Sequence, residues 1–310
     1  MDRSGRRWVE VGRCAAIAVV VVAALLGVDP VATGALPSSS SSSDGGNGRA
    51  TPSADWPMVG RGPGHAGFNP GERTIGAGNV SRLTTRWTAE TWFGGDPVVV
   101  ANGVAYLGSG GGRLHAFDAR GSNGCSGAPR RCAPLWTAAV EGAGSPMGGF
   151  MSTPAVQNGL VYVTAGSSTG TRDQLYVFDA AGVRGCSGRP RVCQPRFRAV
   201  LGAEGTSSAP TAVASGVVYV GTGMGASRKV MAFDAKGVKG CSSTTRRCNP
   251  LWTARVGSQS QSASPAIAAA DGLVYAATDA GDLVAFDAAG KKGCSGVPKT
   301  CAPVWRASDT

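Results

Sequence analysis

One cassette of residues occurs four times in this chain, at 117–136, 178–197, 233–252 and 286–305. Each copy begins with Phe-Asp-Ala-x-Gly, continues through two cysteines that flank a basic turn, and ends on an aromatic residue. From the Asp, the first Cys lies 7 residues on, the second 14 and the aromatic 18, whereas successive copies start 61, 55 and 53 residues apart. Because all of the length variation lies outside the cassette, we expect one structural unit that is repeated.

Short strands are predicted around every cassette. A two-residue turn precedes each apolar second strand, at Asn102-Gly103, Asn158-Gly159, Ser215-Gly216 and Asp271-Gly272, and three of these are strong hairpin signals. A third strand ends on the Phe-Asp of the cassette, and a fourth surrounds the closing aromatic residue. Four antiparallel strands per unit predict an all-β fold, a β-propeller of four-stranded antiparallel blades with four repeats visible. The repeats occupy residues 94–310, at about 94–141, 149–201, 206–257 and 261–307.

Successive turns of an antiparallel meander alternate between its two ends. The tight turns and the four cysteine loops are therefore expected on one face of the propeller. The segments of variable length, Gly108–Arg113, Gly142–Ser152 and Ala165–Gln174, are expected on the other face. In repeat proteins insertions collect on one face, which is often the face that binds a partner.

The N-terminus has the pattern of an export signal. Four arginines within the first 13 residues precede an uncharged run at 14–28 and small residues around Ala35, so residues 1–35 are predicted to be a signal peptide. The uncharged run would span about 22 Å as a helix, less than the bilayer core of about 30 Å, and a retained N-terminal membrane anchor is the alternative. The Ser/Gly-rich residues 36–53 predict a disordered linker, and residues 54–93 are a lead-in with an outer strand. We expect a secreted or extracytoplasmic protein.

Eight of the nine cysteines form four pairs with identical spacing: Cys125/Cys132, Cys186/Cys193, Cys241/Cys248 and Cys294/Cys301. In an exported protein this pattern predicts four local disulfides, each joining the third strand of a unit to the fourth. A zinc site would need thiolates closer together and further ligands, and the chain has only two histidines, His65 and His115. No metal site is predicted.

The cysteine loops are basic in a chain whose net charge is +11. Their cations are Arg130, Arg131, Arg189, Arg191, Arg246, Arg247, Lys291, Lys292 and Lys299, and we call this set the basic rim. It is either a binding surface for an anionic cell-envelope polymer or a solvated face that keeps the protein soluble. Because aromatic residues are not interleaved with these charges, no nucleic-acid partner is expected.

The residues that could carry catalysis have structural explanations. The repeated carboxylates Asp118, Asp179, Asp234 and Asp287 are each followed by a glycine at a strand end, which favours turn capping. His115 takes a position that the other units give to Tyr176, Met231 and Val284, and the four tyrosines Tyr106, Tyr162, Tyr219 and Tyr275 share one strand position; both patterns favour packing. The chain has no nucleophile elbow, phosphate loop or haem-attachment motif, so no catalytic residue is assigned.

The units resemble PQQ-binding-like β-propeller repeats of the quinoprotein alcohol dehydrogenase-like superfamily, over residues 55–305. The resemblance is carried by Ser152–Ala155, Val218–Thr222, Leu251-Trp252 and the Phe-Asp-Ala-x-Gly segments, and by a lead-in at Asp55–Met58 and Asn79–Trp87. It implies either PQQ-dependent dehydrogenase chemistry or the role of a non-catalytic outer-membrane assembly protein. The dehydrogenases cover the quinone with a disulfide between adjacent cysteines and use a metal and an Asp base. No two cysteines are adjacent here, so those residues do not carry over, and PQQ is implied by resemblance only.

The sequence therefore favours a secreted, disulfide-stapled binding or scaffolding module for a ligand or protein that the sequence does not specify. The alternative is a PQQ-dependent alcohol or polyvinyl-alcohol dehydrogenase, or a truncated remnant of one. An outer-strand signal at 83–89, centred on Trp87, has no inner strands of its own. We therefore expect a partial, open propeller with both terminal blade faces exposed, and exposed apolar faces favour self-association, for example of two chains into a ring.

Overall fold

The protein is described here by a computed structural model that covers residues 55–91, 97–140, 150–166, 173–202, 210–223, 228–256, 265–277 and 281–307. The predicted signal peptide and linker lie outside the described residues, as do most of the variable segments Gly142–Ser152 and Ala165–Gln174. The regular secondary structure of the described part is β-strand, apart from a single 3-10 turn at Val80–Arg82. The predicted all-β class is confirmed.

Within the described residues, twenty-four strands form the four units. Unit 1 contains β1 (Val99–Ala101), β2 (Val104–Ser109), β3 (Arg113–Asp118), β4 (Cys125–Ser126), β5 (Arg131–Cys132) and β6 (Trp136–Ala139). Unit 2 contains β7 (Phe150–Met151), β8 (Ala155–Gln157), β9 (Leu160–Gly166), β10 (Asp173–Asp179), β11 (Cys186–Ser187), β12 (Arg191–Cys193) and β13 (Phe197–Gly202). Unit 3 contains β14 (Ala212–Ala214), β15 (Val217–Thr222), β16 (Lys229–Asp234), β17 (Arg247–Cys248) and β18 (Trp252–Arg255). Unit 4 contains β19 (Ala266–Ala270), β20 (Leu273–Ala277), β21 (Leu283–Asp287), β22 (Cys294–Ser295), β23 (Thr300–Cys301) and β24 (Trp305–Ala307).

Each unit builds one antiparallel blade, as the sequence predicts. The blade orders are β1-β2-β3-β6, β8-β9-β10-β13, β14-β15-β16-β18 and β19-β20-β21-β24. The first turn of every blade has positive φ at both central residues, for example 52° at Asn102 and 75° at Gly103, which matches the right-handed twist of the strands. The backbone N–H of Ala119 donates to Gly103 O at 3.0 Å, so the tight turn and the start of the cysteine loop share one face.

The cysteine loops join neighbouring blades, which the sequence did not predict. The strand that ends on each second cysteine pairs in parallel with the outer strand of the preceding unit: β12 with β6, β17 with β13 and β23 with β18. The loop of unit 1 makes the same pairing with the lead-in, at Thr88 and Arg131. The disulfides therefore do not join the third strand of a unit to its fourth. They close hairpins that reach over the edge of the preceding blade.

The blades pack face to face through apolar side chains that alternate along the strands. The core between blades 1 and 2 combines Tyr106 and Trp136 of the first with Val161 and Phe178 of the second. Equivalent cores lie between blades 2 and 3 and between blades 3 and 4. Strands whose two faces are both covered in this way are apolar along their whole length, which explains the near-continuous apolar runs of the inner strands.

Each inter-blade contact is fixed by one carbonyl group of the following unit. Tyr106 Oη and Trp136 Nε1 both donate to the carbonyl oxygen of Ala180, at 3.0 and 3.1 Å. Gly182 follows in the same turn with φ +63°, and a Cβ at this position would overlap Cδ1 of Trp136. The arrangement recurs for Trp87 with Ala119, Tyr162 with Ala235, and Tyr219 and Trp252 with Ala288. The repeated Phe-Asp-Ala-x-Gly is therefore the segment that docks each blade onto the previous aromatic pair.

The lead-in crosses the innermost strands of three blades. Its backbone hydrogen bonds join Trp56 to Val100, Pro57 to Val156 and Pro63 to Ala269, at 2.7 to 2.9 Å. Met58 is buried in the core between blades 2 and 3. Since the innermost strands of a propeller surround its central channel, a ligand on these strands would have to displace the lead-in.

The two terminal blades differ in exposure, which corrects the prediction of two open faces. The outer face of blade 1 is covered by the lead-in, because Trp87 and Ala89 are buried against Phe117. The corresponding face of blade 4 is open in the described part of the chain. Trp305 is 40% exposed and Leu283 37%, whereas the equivalent Trp136 and Leu114 are 2% and 0% exposed. The partial propeller therefore has one covered end and one open end.

Candidate functional site

The four repeated carboxylates cap the cassette turns. Asp287 Oδ2 accepts the backbone N–H groups of Lys291 and Lys292, at 2.6 and 3.1 Å, and these hydrogen bonds hold the pKa of Asp287 below its ordinary value. The same pattern occurs at Asp118, Asp179 and Asp234. These groups stabilise loops, as the glycine after each one predicts, because an ionised carboxylate is a strong acceptor for backbone N–H groups.

Part of the basic rim is structural. The side chains of Arg130, Arg191 and Lys299 each donate to the carbonyl oxygen of a cassette glycine, at 2.6, 3.0 and 3.1 Å. The spacing of nine residues from glycine to cation is the same in all three units. Arg131 forms an ion pair with Glu90 of the lead-in at 2.7 Å. The cation nine residues after the cassette glycine is therefore repeated because it closes the cysteine loop through a hydrogen bond to that glycine. The basic rim thus has fewer cations free to bind a ligand than the sequence suggests.

A recess of about 580 Å³ opens on the same face, between blades 2 and 3. Phe197 is one of its lining residues, in the position that the other three units give to tryptophan. A phenyl ring is smaller than an indole, and it still packs on Gly237 of the following turn, where an added Cβ would overlap Cδ1 of Phe197. Tyr162 alone donates to Ala235 O here, at 2.9 Å.

The charge around this recess is predominantly positive. Arg184 and Lys236 are exposed, Arg196 is partly buried, and all three line the recess. The only carboxylate among its lining residues, Asp179, already accepts the N–H groups of Val183 and Arg184, at 2.9 and 3.2 Å. A recess with three cations and one capped carboxylate favours an anionic ligand. The one sequence feature that distinguishes this junction is the phenylalanine at position 197, where the other units have tryptophan.

His115 is a buried packing residue, as its place in the repeat predicts. Its ring stacks on Phe117 with centroids 6.0 Å apart, and Nε2 lies 3.0 Å from Ser109 Oγ. Nδ1 has no hydrogen-bond partner within the described residues. Burial, with a smaller contribution from Arg113, lowers the pKa of His115 to about 4. The imidazole is therefore neutral at physiological pH.

The buried neutral histidine predicts a loss of stability in acid. Below pH about 6.5 the unfolded chain binds a proton at this position, which the folded protein does not bind until pH falls to about 4. The free energy of unfolding should therefore decrease as pH falls from 6.5 to 4, by at most about 1.4 kcal/mol per pH unit from this group. Urea unfolding at several pH values measures this slope.

A matched variant isolates the contribution of His115. His115→Met places at this position the residue that unit 3 has there, Met231, and should flatten the curve between pH 6.5 and 4. His65, whose pKa burial also lowers, is present in both proteins and cancels in the comparison. Parallel pH curves for the two proteins would contradict the assignment.

The described residues do not fit a quinone site of the dehydrogenase type. The eight cysteines are paired within separate hairpins, and the four repeated carboxylates are capped by backbone N–H groups. Across the described ranges no group of three or more His, Cys, Asp or Glu side chains is placed to hold a metal ion. No helix in this part of the chain is long and apolar enough to cross a membrane.

Comparison with solved structures finds propeller proteins with low sequence identity. BamB from Moraxella catarrhalis is 14% identical, with 73% of this chain and 56% of that chain covered and a TM-score of 0.46. A europium-containing methanol dehydrogenase is 11% identical, with 76% and 56% covered and a TM-score of 0.48. Quinohemoprotein alcohol dehydrogenase from Comamonas testosteroni is 15% identical, with 78% and 49% covered and a TM-score of 0.42. The chain spans about half the length of these proteins, and likeness at this level carries no argument about activity.

Comparison at the level of sequence gives one family. No curated protein sequence matches the chain. A profile of PQQ-type repeats, described as outer membrane protein assembly factor BamB, matches residues 126–294. This segment holds the second and third cassettes complete, the second half of the first and the beginning of the fourth. It is more than half of the 310 residues, and the chain therefore belongs to this PQQ-type β-propeller repeat family.

Proposed function

We propose that the protein is an extracytoplasmic binding module that holds an anionic cell-envelope polymer in the recess between blades 2 and 3. The observation that carries the proposal is the convergence of Arg184, Arg196 and Lys236 on that recess. Four disulfides support an oxidising compartment outside the cytoplasm, because such bonds persist mainly there. The membership of the PQQ-type repeat family supports the same location.

The dimensions of the recess suit the proposed ligand. Its volume of about 580 Å³ falls in the range of roughly 300 to 1,000 Å³ that is usual for ligand sites. It opens on the face that carries the basic rim, so a polymer longer than the recess would continue along exposed cations such as Lys239 and Arg189. Close contacts in the recess would give specificity, and the rim would add a long-range attraction that salt screens.

The test compares two sets of substitutions that remove the same charge. The recess variant removes the three cations that line the recess, by Arg184→Gln, Arg196→Gln and Lys236→Gln. The control variant removes three exposed cations of the same face, by Lys239→Gln, Lys291→Gln and Lys292→Gln. The probes are polyphosphate and polygalacturonate, which separate phosphate from carboxylate recognition, with binding measured by calorimetry. We expect the recess variant to bind at least tenfold more weakly and the control less than threefold more weakly. Equal losses in the two variants, or no binding of either probe, would refute the proposal.

The dehydrogenase alternative rests on the family resemblance and has its own test. The purified chain is mixed with PQQ and calcium, and reduction of a dye is followed with simple alcohols or polyvinyl alcohol as substrates. Stoichiometric binding of the quinone together with turnover would replace the binding-module proposal. If polyphosphate or polygalacturonate binds and no quinone is taken up, the result supports the binding module and contradicts the dehydrogenase alternative.

A further inference from the structure

The three cations that line the recess occupy defined positions of the repeat. Arg184 is the fifth residue after the cassette Asp of unit 2, and Arg196 precedes the closing aromatic residue of that unit. Lys236 is the second residue after the cassette Asp of unit 3. Because the cores between successive blades are equivalent, the residues at the same three positions of the other junctions can be compared with these.

The other two junctions between blades do not have this combination of charges. At the junction of blades 1 and 2 none of the three positions holds a cation, since the residues are Asn123, Leu135 and Ala181. At the junction of blades 3 and 4 one of them does, since the residues are Lys239, Leu251 and Ala289. Blades therefore pack on each other without cations at these positions, and the packing of the repeat does not explain the three cations between blades 2 and 3.

The folded chain does not use these three side chains either. Within the described ranges the side chains of Arg184, Arg196 and Lys236 form no hydrogen bond or ion pair. The lead-in shows the contrasting case, because Arg86 precedes Trp87 as Arg196 precedes Phe197, and its Nε donates to the carbonyl oxygen of Arg120 at 2.9 Å. The cations of the recess are therefore available to a ligand.

The charge of the recess matches a doubly charged anion. Its three cations and one carboxylate, Asp179, have a formal charge of +2. A phosphomonoester carries about −1.5 to −2 at pH 7, because its second pKa is about 6. A carboxylate, a sulfate ester and a phosphodiester each carry a single charge. The planar guanidinium group of arginine also donates two parallel hydrogen bonds to phosphate oxygens, and two of the three cations are arginines.

We infer that the recess binds the terminal phosphomonoester of a cell-envelope polymer, with Arg196 as the residue that determines its specificity. Arg196 is the partly buried member of the three cations, so salt screens its charge least. The unit that bears the phosphate lies against Asn158, Leu160 and Val183, which offer it an amide and two apolar side chains. The inference rests on the proposed function, because it names the group of the polymer that the recess holds.

The first experiment compares three ligands that differ only in the anion. Glucose 6-phosphate and glucose 6-sulfate present different charges on the same sugar, and glucuronate presents a carboxylate. At pH 7.5 calorimetry should give a dissociation constant at least tenfold lower for glucose 6-phosphate than for the other two.

The same comparison at pH 5 tests the second charge. Protonation of the phosphomonoester then removes most of that charge, and the preference for glucose 6-phosphate over glucose 6-sulfate should fall below threefold. The side chains of arginine and lysine do not titrate between pH 5 and 7.5. Asp179 faces all three ligands, so any change in its charge affects them alike.

The second experiment replaces each cation by a residue that another unit has at the same position. Arg196→Leu introduces the residue of units 1 and 3, Arg184→Asn that of unit 1, and Lys236→Ala that of units 2 and 4. The fold tolerates these residues at equivalent positions. Each variant should bind glucose 6-phosphate more weakly, and Arg196→Leu at least tenfold more weakly. Arg196→Leu should also reduce the preference for glucose 6-phosphate over glucose 6-sulfate at pH 7.5 to less than threefold, which a merely structural role would not do.

A matched control makes the change of Arg184→Asn elsewhere on the same face. Lys292 stands in unit 4 at the position that Arg184 has in unit 2. Lys292→Asn removes one cation of the basic rim without altering the recess, and it should change the dissociation constant for glucose 6-phosphate less than twofold.

Two results would overturn the inference. Equal affinities for glucose 6-phosphate and glucose 6-sulfate at pH 7.5 would show that the recess does not recognise the second charge. An unchanged preference in Arg196→Leu would show that Arg196 does not determine specificity. Either result leaves the proposed function intact if polyphosphate or polygalacturonate still binds in the recess. Binding of glucose 6-phosphate without binding of either polymer would support the phosphomonoester site and refute the proposed function.

Discussion

Replacing Gly182 with alanine is expected to lower the free energy of unfolding by about 3 kcal/mol, from overpacking and a left-handed backbone together. Gly182 has φ +63°, and its Cα faces the indole of Trp136, where an added Cβ would overlap Cδ1. The indole has little room to move, because Trp136 is 2% exposed and its Nε1 donates to Ala180 O in the same turn. Chemical unfolding measured by Trp fluorescence reports the change.

Gly159→Ala is the control for the backbone contribution. Gly159 also has positive φ, at 74°, but nothing lies within 4 Å of a Cβ built there. Its substitution should cost only the penalty of a left-handed alanine, about 1 kcal/mol. If both substitutions cost the same, the contact between glycine and indole does not hold blades 1 and 2 together.

The sequence predicted the parts of the fold that are local or repeated. Turns such as Asn102-Gly103 and apolar runs such as Val217–Val220 identify strands directly, because each is set by nearby residues. The capping by Asp287 and the packing of His115 followed from comparing the same position in all units. Repetition thus distinguished structural residues from catalytic candidates without any knowledge of the neighbouring blades.

Features that depend on contacts between units were not predictable. The parallel pairing of Thr88 with Arg131 and of β12 with β6 joins segments far apart in the chain, and no local pattern encodes a partner at such a separation. The lead-in has no repeat to compare with, so its path across β1, β8 and β19 was not evident. The cation at Arg191 looked like part of a binding surface, because its acceptor, Gly182 O, becomes apparent only when the loop is folded.

The recess shows how a single departure from the repeat becomes a candidate site. Phe197 alone among the closing aromatics lacks an indole, and the contact that it makes with Gly237 is otherwise equivalent to that of Trp136 with Gly182. A phenyl ring has no N–H, so Ala235 O accepts a hydrogen bond from Tyr162 Oη without an indole N–H beside it. Sequence comparison identifies the substitution, and the structure places Phe197 in the lining of a recess among cations.

Truncation of the aromatic at two equivalent positions should have very different effects. Trp136→Ala removes a side chain that is 2% exposed and should lower the free energy of unfolding by about 3 to 5 kcal/mol. Trp136→Phe keeps a ring, as unit 2 does with Phe197, and should cost about 1 kcal/mol for the lost hydrogen bond to Ala180. Trp305→Ala removes a side chain that is 40% exposed, and without a partner bound it should cost less than half as much as Trp136→Ala. Equal losses at Trp136 and Trp305 would mean that both indoles are covered in solution, as they would be if a partner or a second chain already occupied the face of blade 4.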